Sequence, residues 1–250
     1  MPQASSSTDF DLAKRIPPTS KSVLELACGT GRVTGQLHRR LKSGARLVAS
    51  DLNNDMLQVA RTVVYSPRVE WVVADAHRLP FGNGVFDLVV CQFGVMFFQQ
   101  KPLAIAEIAR VLQPGGCFLF NTWDSIRVNP RAALIQQVLR EELGEEARDF
   151  SLTGPYSFFD KGVIAALLKE ACFLDVVMEQ VKEKGCFSSI TDIVEGFVEG
   201  SPLGLYLDRF GAALRGRVKR KLGIALEKEF SSGGISMKME AIVIRCVKGH

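Results

Sequence analysis

The sequence predicts an α/β protein built on a doubly wound sheet of seven strands, mostly parallel with the last strand antiparallel, and carrying a helical cap. Short apolar runs alternate with segments of helical periodicity between residues 22 and 123, which is the pattern of repeated βαβ units. The run Phe86–Cys91 is continuously apolar, as in parallel strands that are buried on both faces. Ligands of such sheets bind at the carboxyl ends of the strands, where the strand order reverses.

The expected elements follow from periodicity and from helix-terminating residues. The cluster Asn53-Asn54-Asp55 is suited to cap a helix, and Pro114-Gly115-Gly116 is expected to end one. Strands are predicted at residues 23–26, 45–50, 69–74, 86–91, 117–122, 174–179 and 239–247. Helices are predicted at residues 33–41, 53–64, 102–112, 131–143, 161–171, 190–200 and 207–228.

The predicted domain organisation is simple. Residues 1–10 are polar and Ser-rich, and we expect them to be disordered. Residues 11–250 are expected to form one domain, with a ligand-binding core at 11–125 and a C-terminal part at 126–250. The helical cap would lie at about 184–236, between the last two strands.

Composition excludes several function classes. The formal net charge is only +4, so bulk charge gives no argument for nucleic acid. No C-x-x-C pair is present, and no metal site is expected. No apolar run approaches the roughly 18 residues of a membrane-spanning helix. The six cysteines are Cys28, Cys91, Cys117, Cys172, Cys186 and Cys246. Most lie in apolar runs, which fits buried free thiols in a reducing compartment, and we therefore expect a cytoplasmic protein.

The segment Val23–Arg32 is the most informative part of the chain. It begins as an apolar strand and breaks into glycines just before a helical segment, so a ligand can contact the backbone directly. Glu25, inside the strand, is an acceptor suited to a positive or hydroxyl-bearing ligand, where a phosphate site needs donors. The loop therefore predicts a nucleoside that carries an amino acid, rather than a dinucleotide.

Four segments together resemble the class I S-adenosylmethionine-dependent methyltransferases, whose sheet is Rossmann-like. The resemblance covers residues 21 to about 125. Within this class, the sequence is most similar to the methyltransferase type 11 group, which includes the ubiquinone and menaquinone C-methyltransferases. Cys91–Phe98 also resembles that group. The four segments are Leu24–Gly31, Val48–Leu52, Ala74–Phe81 and Leu112–Gly116.

The resemblance implies S-adenosylmethionine as cofactor, with S-adenosylhomocysteine as product, and a role for each strand end. The glycine loop would pass beneath the methionine part, Glu25 would face its ammonium group, and Asp51 would accept from the ribose hydroxyls. The alternative for the glycine loop is an ordinary strand-to-helix turn, and the alternative for Asp51 is a helix cap. Leu52 and Met56 could instead be plain core residues. The implied cofactor-binding residues are Glu25, Ala27, Cys28, Gly29, Thr30, Gly31, Asp51, Leu52, Met56, Asp75, Ala76, Gln92 and Phe93.

Three side chains are candidates for a catalytic base. Asp124 follows the fifth strand, Tyr156 is placed to line a pocket, and His77 lies beside the adenine segment. Methyl transfer from a sulfonium to a good nucleophile can also proceed without a strong base, because alignment and desolvation supply much of the acceleration.

The acceptor is expected to be a small molecule. The segment after strand four lacks the Asn/Asp-Pro-Pro-Tyr/Phe motif of enzymes that methylate DNA bases, so a nucleic-acid target is disfavoured. The aromatic run Phe93–Phe98 favours an apolar or aromatic acceptor. The basic segment 207–228 has two interpretations: a solvated helix face, or a contact for an anionic substrate or membrane surface.

The predicted activity is direct in-line transfer of a methyl group to an O, N or C nucleophile. The alternatives are a non-catalytic cofactor-binding or scaffold protein and an NAD(P)-dependent enzyme, whose loop usually has a third glycine where Thr34 stands. Related enzymes usually have one or two helices before the first strand that close over the cofactor. Phe10–Ile16 resembles only the end of such a helix, so we expect a shortened lid, or lid residues absent from this numbering.

Overall fold

The computed structural model describes residues 10–147, 154–187, 189–199, 202–229 and 235–249. The expected disorder of the first nine residues lies outside this range, whereas Phe10 is described and is buried. Seven strands form one sheet: β1 (Ser22–Leu26), β2 (Arg46–Asp51), β3 (Val69–Val73), β4 (Phe86–Gln92), β5 (Leu112–Trp123), β6 (Phe173–Phe187) and β7 (Ile235–Lys248).

The strand order is β3-β2-β1-β4-β5-β7-β6, which confirms the predicted fold class. β1 pairs in parallel with both β2 and β4, and β7 runs antiparallel to β5. The chain therefore leaves β1 toward β2 and later returns to the other side of β1 as β4. This reversal opens a crevice beyond the carboxyl ends of β1 and β4, the usual ligand position in such sheets.

Helices follow the strands much as predicted. Asn53 caps α2 by accepting the N–H of Asp55 at 2.8 Å. Within the described residues the helices are α1 (Arg32–Arg40), α2 (Asn54–Val63), α3 (Lys101–Val111), α4 (Pro130–Leu143), α5 (Lys161–Glu170), α6 (Ile190–Val198), α7 (Pro202–Asp208) and α8 (Ala212–Glu229). Single 3-10 turns lie at Leu12–Arg15, Val95–Phe97, Ile126–Val128 and Gly144–Glu146. In the described part of the chain, no helix is both long and apolar enough to cross a membrane.

Several element boundaries differ from the prediction. β6 extends to Phe187 instead of ending at 179, and β7 begins at Ile235 instead of 239, so both strands enter the predicted cap range. The segment 207–228 forms two helices, because Gly211 adopts a left-handed φ of +85° between α7 and α8. β5 begins at Leu112, five residues earlier than expected, and includes Pro114-Gly115-Gly116. Leu112 pairs with Phe86, and the register then shifts before Leu88, so the glycines form an irregular strand start rather than a separate turn.

The described chain forms two compact units. The sheet unit comprises residues 9–123, 158–181 and 241–250, and its core includes the fully buried rings of Phe86, Phe118 and Phe120. The helical unit comprises residues 124–157 and 182–240 with α4, α6, α7 and α8, and it includes the predicted cap range. Its core includes Leu139, Ile193, Val218 and Leu222.

Four basic residues of α8 form ion pairs within the helical unit. Arg215 contacts Glu199 and Asp208, and Lys219 contacts Glu195. Two more pairs, Arg217–Glu142 and Lys221–Glu141, join α8 to α4. Exposed pairs of this kind contribute little stability individually, but they reduce the positive charge that these four residues offer to an anionic partner.

Candidate active site

The carboxyl ends of β1 and β2 are joined by the side chain of Asp51. Its Oδ2 accepts the N–H of Gly29 at 2.8 Å, and its Oδ1 accepts the N–H of Asn53 at 2.9 Å. Two backbone donors therefore fix the carboxylate at the edge of the crevice. Each carboxylate oxygen has two lone pairs, so Asp51 retains acceptor capacity for two ligand hydroxyls.

The two glycines of the loop after β1 have different roles. Gly31 has a φ of +79°, and a Cβ added there would lie 3.0 Å from the Cβ of Ala60 on α2. Gly31 is therefore also required for helix packing, a role that the sequence did not suggest. Gly29 has a φ of +54°, and an added Cβ would meet no atom within 4 Å, so it borders open space.

Two non-glycine residues adopt left-handed backbone conformations at the ends of neighbouring strands. Ala27 follows β1 with a φ of 52°, and Phe93 follows β4 with a φ of 53°. Such a conformation costs roughly 1–2 kcal/mol for a residue with a Cβ. A Cβ on Gly94 would lie 2.6 Å from both the Cβ of Ala27 and the Sγ of Cys91, so the two loops are in close contact. Strain of this kind is concentrated at functional sites.

Glu25 is a buried carboxyl group on β1, one residue before the end of the strand. Its residue is only 2% exposed, and its Oε2 has no hydrogen-bond partner among the described residues. Burial raises the pKa of Glu25 to about 8; the hydroxyl of Thr34, which is not in hydrogen-bond geometry, lowers it in part, and the charge of Asp51 raises it. A ligand cation beside Glu25 would favour its carboxylate form, to which the cation is the electrostatic complement.

The adenine side predicted from the sequence contains exposed apolar side chains. Leu52 is 69% exposed and Met56 is 41% exposed, which excludes the alternative that they belong to the core. Ala76, by contrast, is buried. Leu52 and Met56 thus offer a flat apolar surface directly after β2.

Asp75 and His77 form a bonded pair on the same side. The backbone N–H of His77 donates to Asp75 Oδ1 at 2.9 Å, and the ring Nδ1 lies 2.6 Å from the same oxygen. These contacts hold the pKa of Asp75 below its usual range, the backbone bond having the larger effect. The N–H of Gln100 donates to His77 Nε2 at 3.2 Å, so Nδ1 carries the ring proton and both ring nitrogens are engaged.

The N-terminal segment covers the ends of β4 and β5, which sequence reasoning missed. The N–H of Leu12 donates to Gln92 Oε1 at 2.9 Å. The fully buried Asn121 accepts the N–H of Phe93 at 2.7 Å and donates to the carbonyl of Phe10 at 3.2 Å. The described part of the N-terminal segment is therefore anchored at the ends of both strands.

An aromatic cluster surrounds this anchor. The rings of Phe93 and Trp123 are stacked with centroids 4.2 Å apart. Phe10 packs edge-on against both, at 5.9 Å from Phe93 and 5.5 Å from Trp123. The spacing of Phe10 and Leu12 within a polar N-terminus was the only sequence signal for this contact.

The other two candidate bases, Asp124 and Tyr156, belong to the helical unit. Asp124 is buried, and its Oδ1 accepts the N–H of Ser125 at 2.6 Å. Tyr156 lies in a turn and is partly exposed. Catalytic roles for both stay predictions.

The cysteines near the crevice are not activated nucleophiles. Cys91 is fully buried, as expected, and burial raises the pKa of its thiol to about 12. Burial also raises the pKa of Cys28 well above its usual range, with smaller contributions from the charges of Glu25 and Asp51. Thr30, in the same loop, is half-buried.

Comparison with known proteins gives a family for the core of the sheet unit. Residues 23–116 match a family described as methyltransferase domain. The ubiquinone/menaquinone biosynthesis C-methyltransferase of Hahella chejuensis is 39% identical over 114 residues, which cover 44% of this chain and 46% of that relative. The match therefore spans less than half the length of the curated relative.

Solved structures extend the likeness to the whole fold. A protein of Bacillus halodurans has a TM-score of 0.65 at 20% identity, covering 98% of this chain and 100% of its own. Phosphoethanolamine N-methyltransferase 2 of Haemonchus contortus, solved with phosphomonomethylethanolamine and S-adenosylhomocysteine, has a TM-score of 0.61 at 19% identity. It covers 96% of this chain and 52% of its own. At these identities the likeness concerns the fold alone.

The burial of Glu25 predicts how stability depends on pH. Because its pKa is raised from 4.5 to about 8 in the folded protein, its contribution to stability is complete below pH 4.5 and is lost as the pH rises to about 8. The variant Glu25→Gln has no such loss. We expect it to exceed the parent in free energy of unfolding by on the order of 3 kcal/mol at pH 7, and by little at pH 4.5.

Urea unfolding of the ligand-free protein at several pH values measures this difference. Glu70→Gln is the matched control, because Glu70 is exposed, pairs with Arg46 and has a pKa lowered by that contact. The Glu70→Gln variant should have a slightly lower free energy of unfolding than the parent at neutral pH, a change opposite in sign to that of Glu25→Gln. A Glu25→Gln variant that is less stable than the parent at pH 8 would contradict the burial of an unpaired carboxyl group.

Proposed function

We propose that this chain, whose residues 23–116 match a family described as methyltransferase domain, is an S-adenosylmethionine-dependent methyltransferase acting on a small-molecule acceptor. The observation that carries the proposal is the unpaired, buried carboxyl group of Glu25 next to a glycine loop that borders open space. An ammonium group beside a glycine loop is what distinguishes this cofactor from a dinucleotide. The methyl transfer is proposed to be direct and in line, to an O, N or C nucleophile.

The residues present fit each part of this cofactor. Glu25 complements the ammonium group, and Asp51 has acceptor capacity for both ribose hydroxyls. Leu52 and Met56 offer exposed apolar surface to the adenine ring. Both bonds from His77 end on Asp75 Oδ1, so Oδ2 is available to the adenine amino group.

The loop sequence disfavours an NAD(P)-dependent enzyme. A loop that binds a pyrophosphate usually has a third glycine at the start of the helix. Thr34, where that glycine would stand, is fully buried.

When bound, S-adenosylmethionine supplies an electrophilic methyl group. The contribution of the chain is to orient the cofactor and the acceptor and to exclude water. Glu25 would hold the ammonium group of the cofactor and Asp51 its ribose hydroxyls, and Gln92 would hold the cofactor carboxylate or the substrate. Phe10, Phe93 and Trp123 would keep water away, which favours transfer between aligned groups without a strong base.

We propose an apolar or aromatic acceptor. The stacked pair of Phe93 and Trp123, with Phe10 edge-on, supports a site that accepts a flat, apolar molecule. The matched relative from Hahella chejuensis is by its name a C-methyltransferase of quinone biosynthesis, which agrees with this class. Of the candidate bases, His77 has both ring nitrogens engaged, which disfavours it as a base.

We also propose a cytoplasmic location. The support is the set of free thiols at Cys28, Cys91, Cys117, Cys172 and Cys246 in the described part of the chain.

The open space at Gly29 gives a test of cofactor placement. We expect Gly29→Ala to weaken S-adenosylmethionine binding by roughly tenfold or more, because the new methyl group would occupy the ligand's position. The left-handed backbone would add a folding cost of about 1 kcal/mol. Calorimetric titration measures the affinity, and Gly44→Ala is the control, since its added Cβ also meets nothing within 4 Å. Equal affinity in both variants would remove Gly29 from the cofactor site.

Turnover tests the function itself. With cofactor labelled in its methyl group, we expect the label to enter an apolar-solvent fraction of a metabolite extract. Asp51→Asn should raise the KM for the cofactor by roughly tenfold, because a charged hydrogen-bond acceptor is lost. Asp55→Asn, also a carboxyl-to-amide change but on the exposed start of α2, should not change it.

Two results would contradict the proposal. Tight cofactor binding with no labelled product from any extract would indicate a non-catalytic binding protein. Binding of NADPH without binding of S-adenosylmethionine would indicate the oxidoreductase alternative.

A further inference from the structure

A second surface of the sheet unit combines unpaired positive charge with exposed apolar side chains. It is formed by α1, α2 and the turn that follows α2, and we call it the α1–α2 surface. Val59 is 47% exposed, Val63 is 62% exposed and Tyr65 is 96% exposed. The exposed basic residues of this surface are Arg32, Arg39, Arg40, Lys42, Arg61 and Arg68.

α1 packs directly on α2, whereas Arg61 lies on the opposite side of α2 from Val59 and Val63, because it is two residues from each. Cβ atoms added at Gly31 and Gly35 would lie 3.0 Å from Ala60 and 3.4 Å from Val64. Arg68 Nη2 lies 2.8 Å from His38 Nε2 and also donates to the carbonyl of His38 at 3.3 Å.

The apolar side chains of α2 share a side of that helix. Val59 and Val63 are four residues apart, which places them on one face. Tyr65 follows in the turn that joins α2 to β3 and is almost fully exposed. The apolar stripe therefore runs along the helix and ends at an aromatic side chain.

The charge of this segment is larger than that of the whole chain. Residues 32–68 contain seven Arg and Lys but only two Asp, a net +5 in a chain of net +4. Arg46 is paired with Glu70, whereas the six basic residues of the α1–α2 surface make no ion pair within the described residues. The basic residues Arg215, Arg217, Lys219 and Lys221 of α8 are paired, so the two basic segments differ in kind.

We propose that the α1–α2 surface docks the protein on a membrane that contains anionic lipids. Unpaired arginines complement anionic headgroups, and Val59, Val63 and Tyr65 can enter the interfacial layer between them. A nucleic acid would gain from the charges but not from the exposed valines, and a second copy of the same surface would be repelled. Contact is at the interface only, since the described helices include none that could cross a bilayer.

Vesicle sedimentation tests the proposal. The full chain is mixed with vesicles of phosphatidylcholine alone or with about 30 mol% phosphatidylglycerol. We expect roughly tenfold stronger binding to the anionic vesicles, decreasing as salt screens the charges. Arg39→Gln with Arg40→Gln should reduce this binding by roughly tenfold, and Val63→Glu by roughly fivefold.

The matched control removes two positive charges elsewhere on the sheet unit, by Lys161→Gln with Lys169→Gln on α5. These residues should leave vesicle binding unchanged, and thermal unfolding checks that all variants fold. Equal binding to neutral and anionic vesicles, or equal loss in the control, would overturn the proposal. So would tight binding of a DNA duplex by a protein that does not sediment with anionic vesicles.

Discussion

The reversal of strand order between β1 and β4 is the constraint on which the candidate site depends. It separates the loops after these strands enough to leave a crevice, yet Gly94 keeps them in contact through Ala27. Asp51 extends the same crevice to β2 by holding the N–H of Gly29. The acceptors of the site are therefore positioned by the sheet itself, which is more rigid than a loop scaffold.

The site is held in place at a cost in stability. Ala27 and Phe93 are in left-handed conformations, and Glu25 buries a carboxyl group whose Oε2 lacks a partner in the described structure. A hydrophobic core that includes Phe86, Phe118 and Phe120 offsets these unfavourable terms. A ligand cation beside Glu25 would remove the largest of them, so ligand binding and folding stability are coupled through this one side chain.

Much of the fold was predictable, because it is encoded locally. The apolar runs predicted the strands and the helical periodicity predicted the helices. Asp51 was predicted as a site residue because it is an acidic residue at the end of β2. The N-terminal anchor was not predictable, because the bond between Asn121 and Phe10 joins residues 111 positions apart. The contact of Gly31 with Ala60 was hidden for the same reason: it depends on how α2 packs. The early start of β5 depends on pairing with Phe86, which local sequence does not reveal.

We propose that Glu25 is a neutral, buried acid that becomes a carboxylate when the ammonium group of the cofactor binds beside it. Calorimetric titration of S-adenosylmethionine at pH 7, in buffers of different ionisation enthalpy, measures the protons released on binding. With a pKa of about 8 in the free protein, Glu25 should release about one proton per cofactor bound. The variant Glu25→Gln should release none. Tight binding with no proton release by the parent, or the same release by both proteins, would contradict the account.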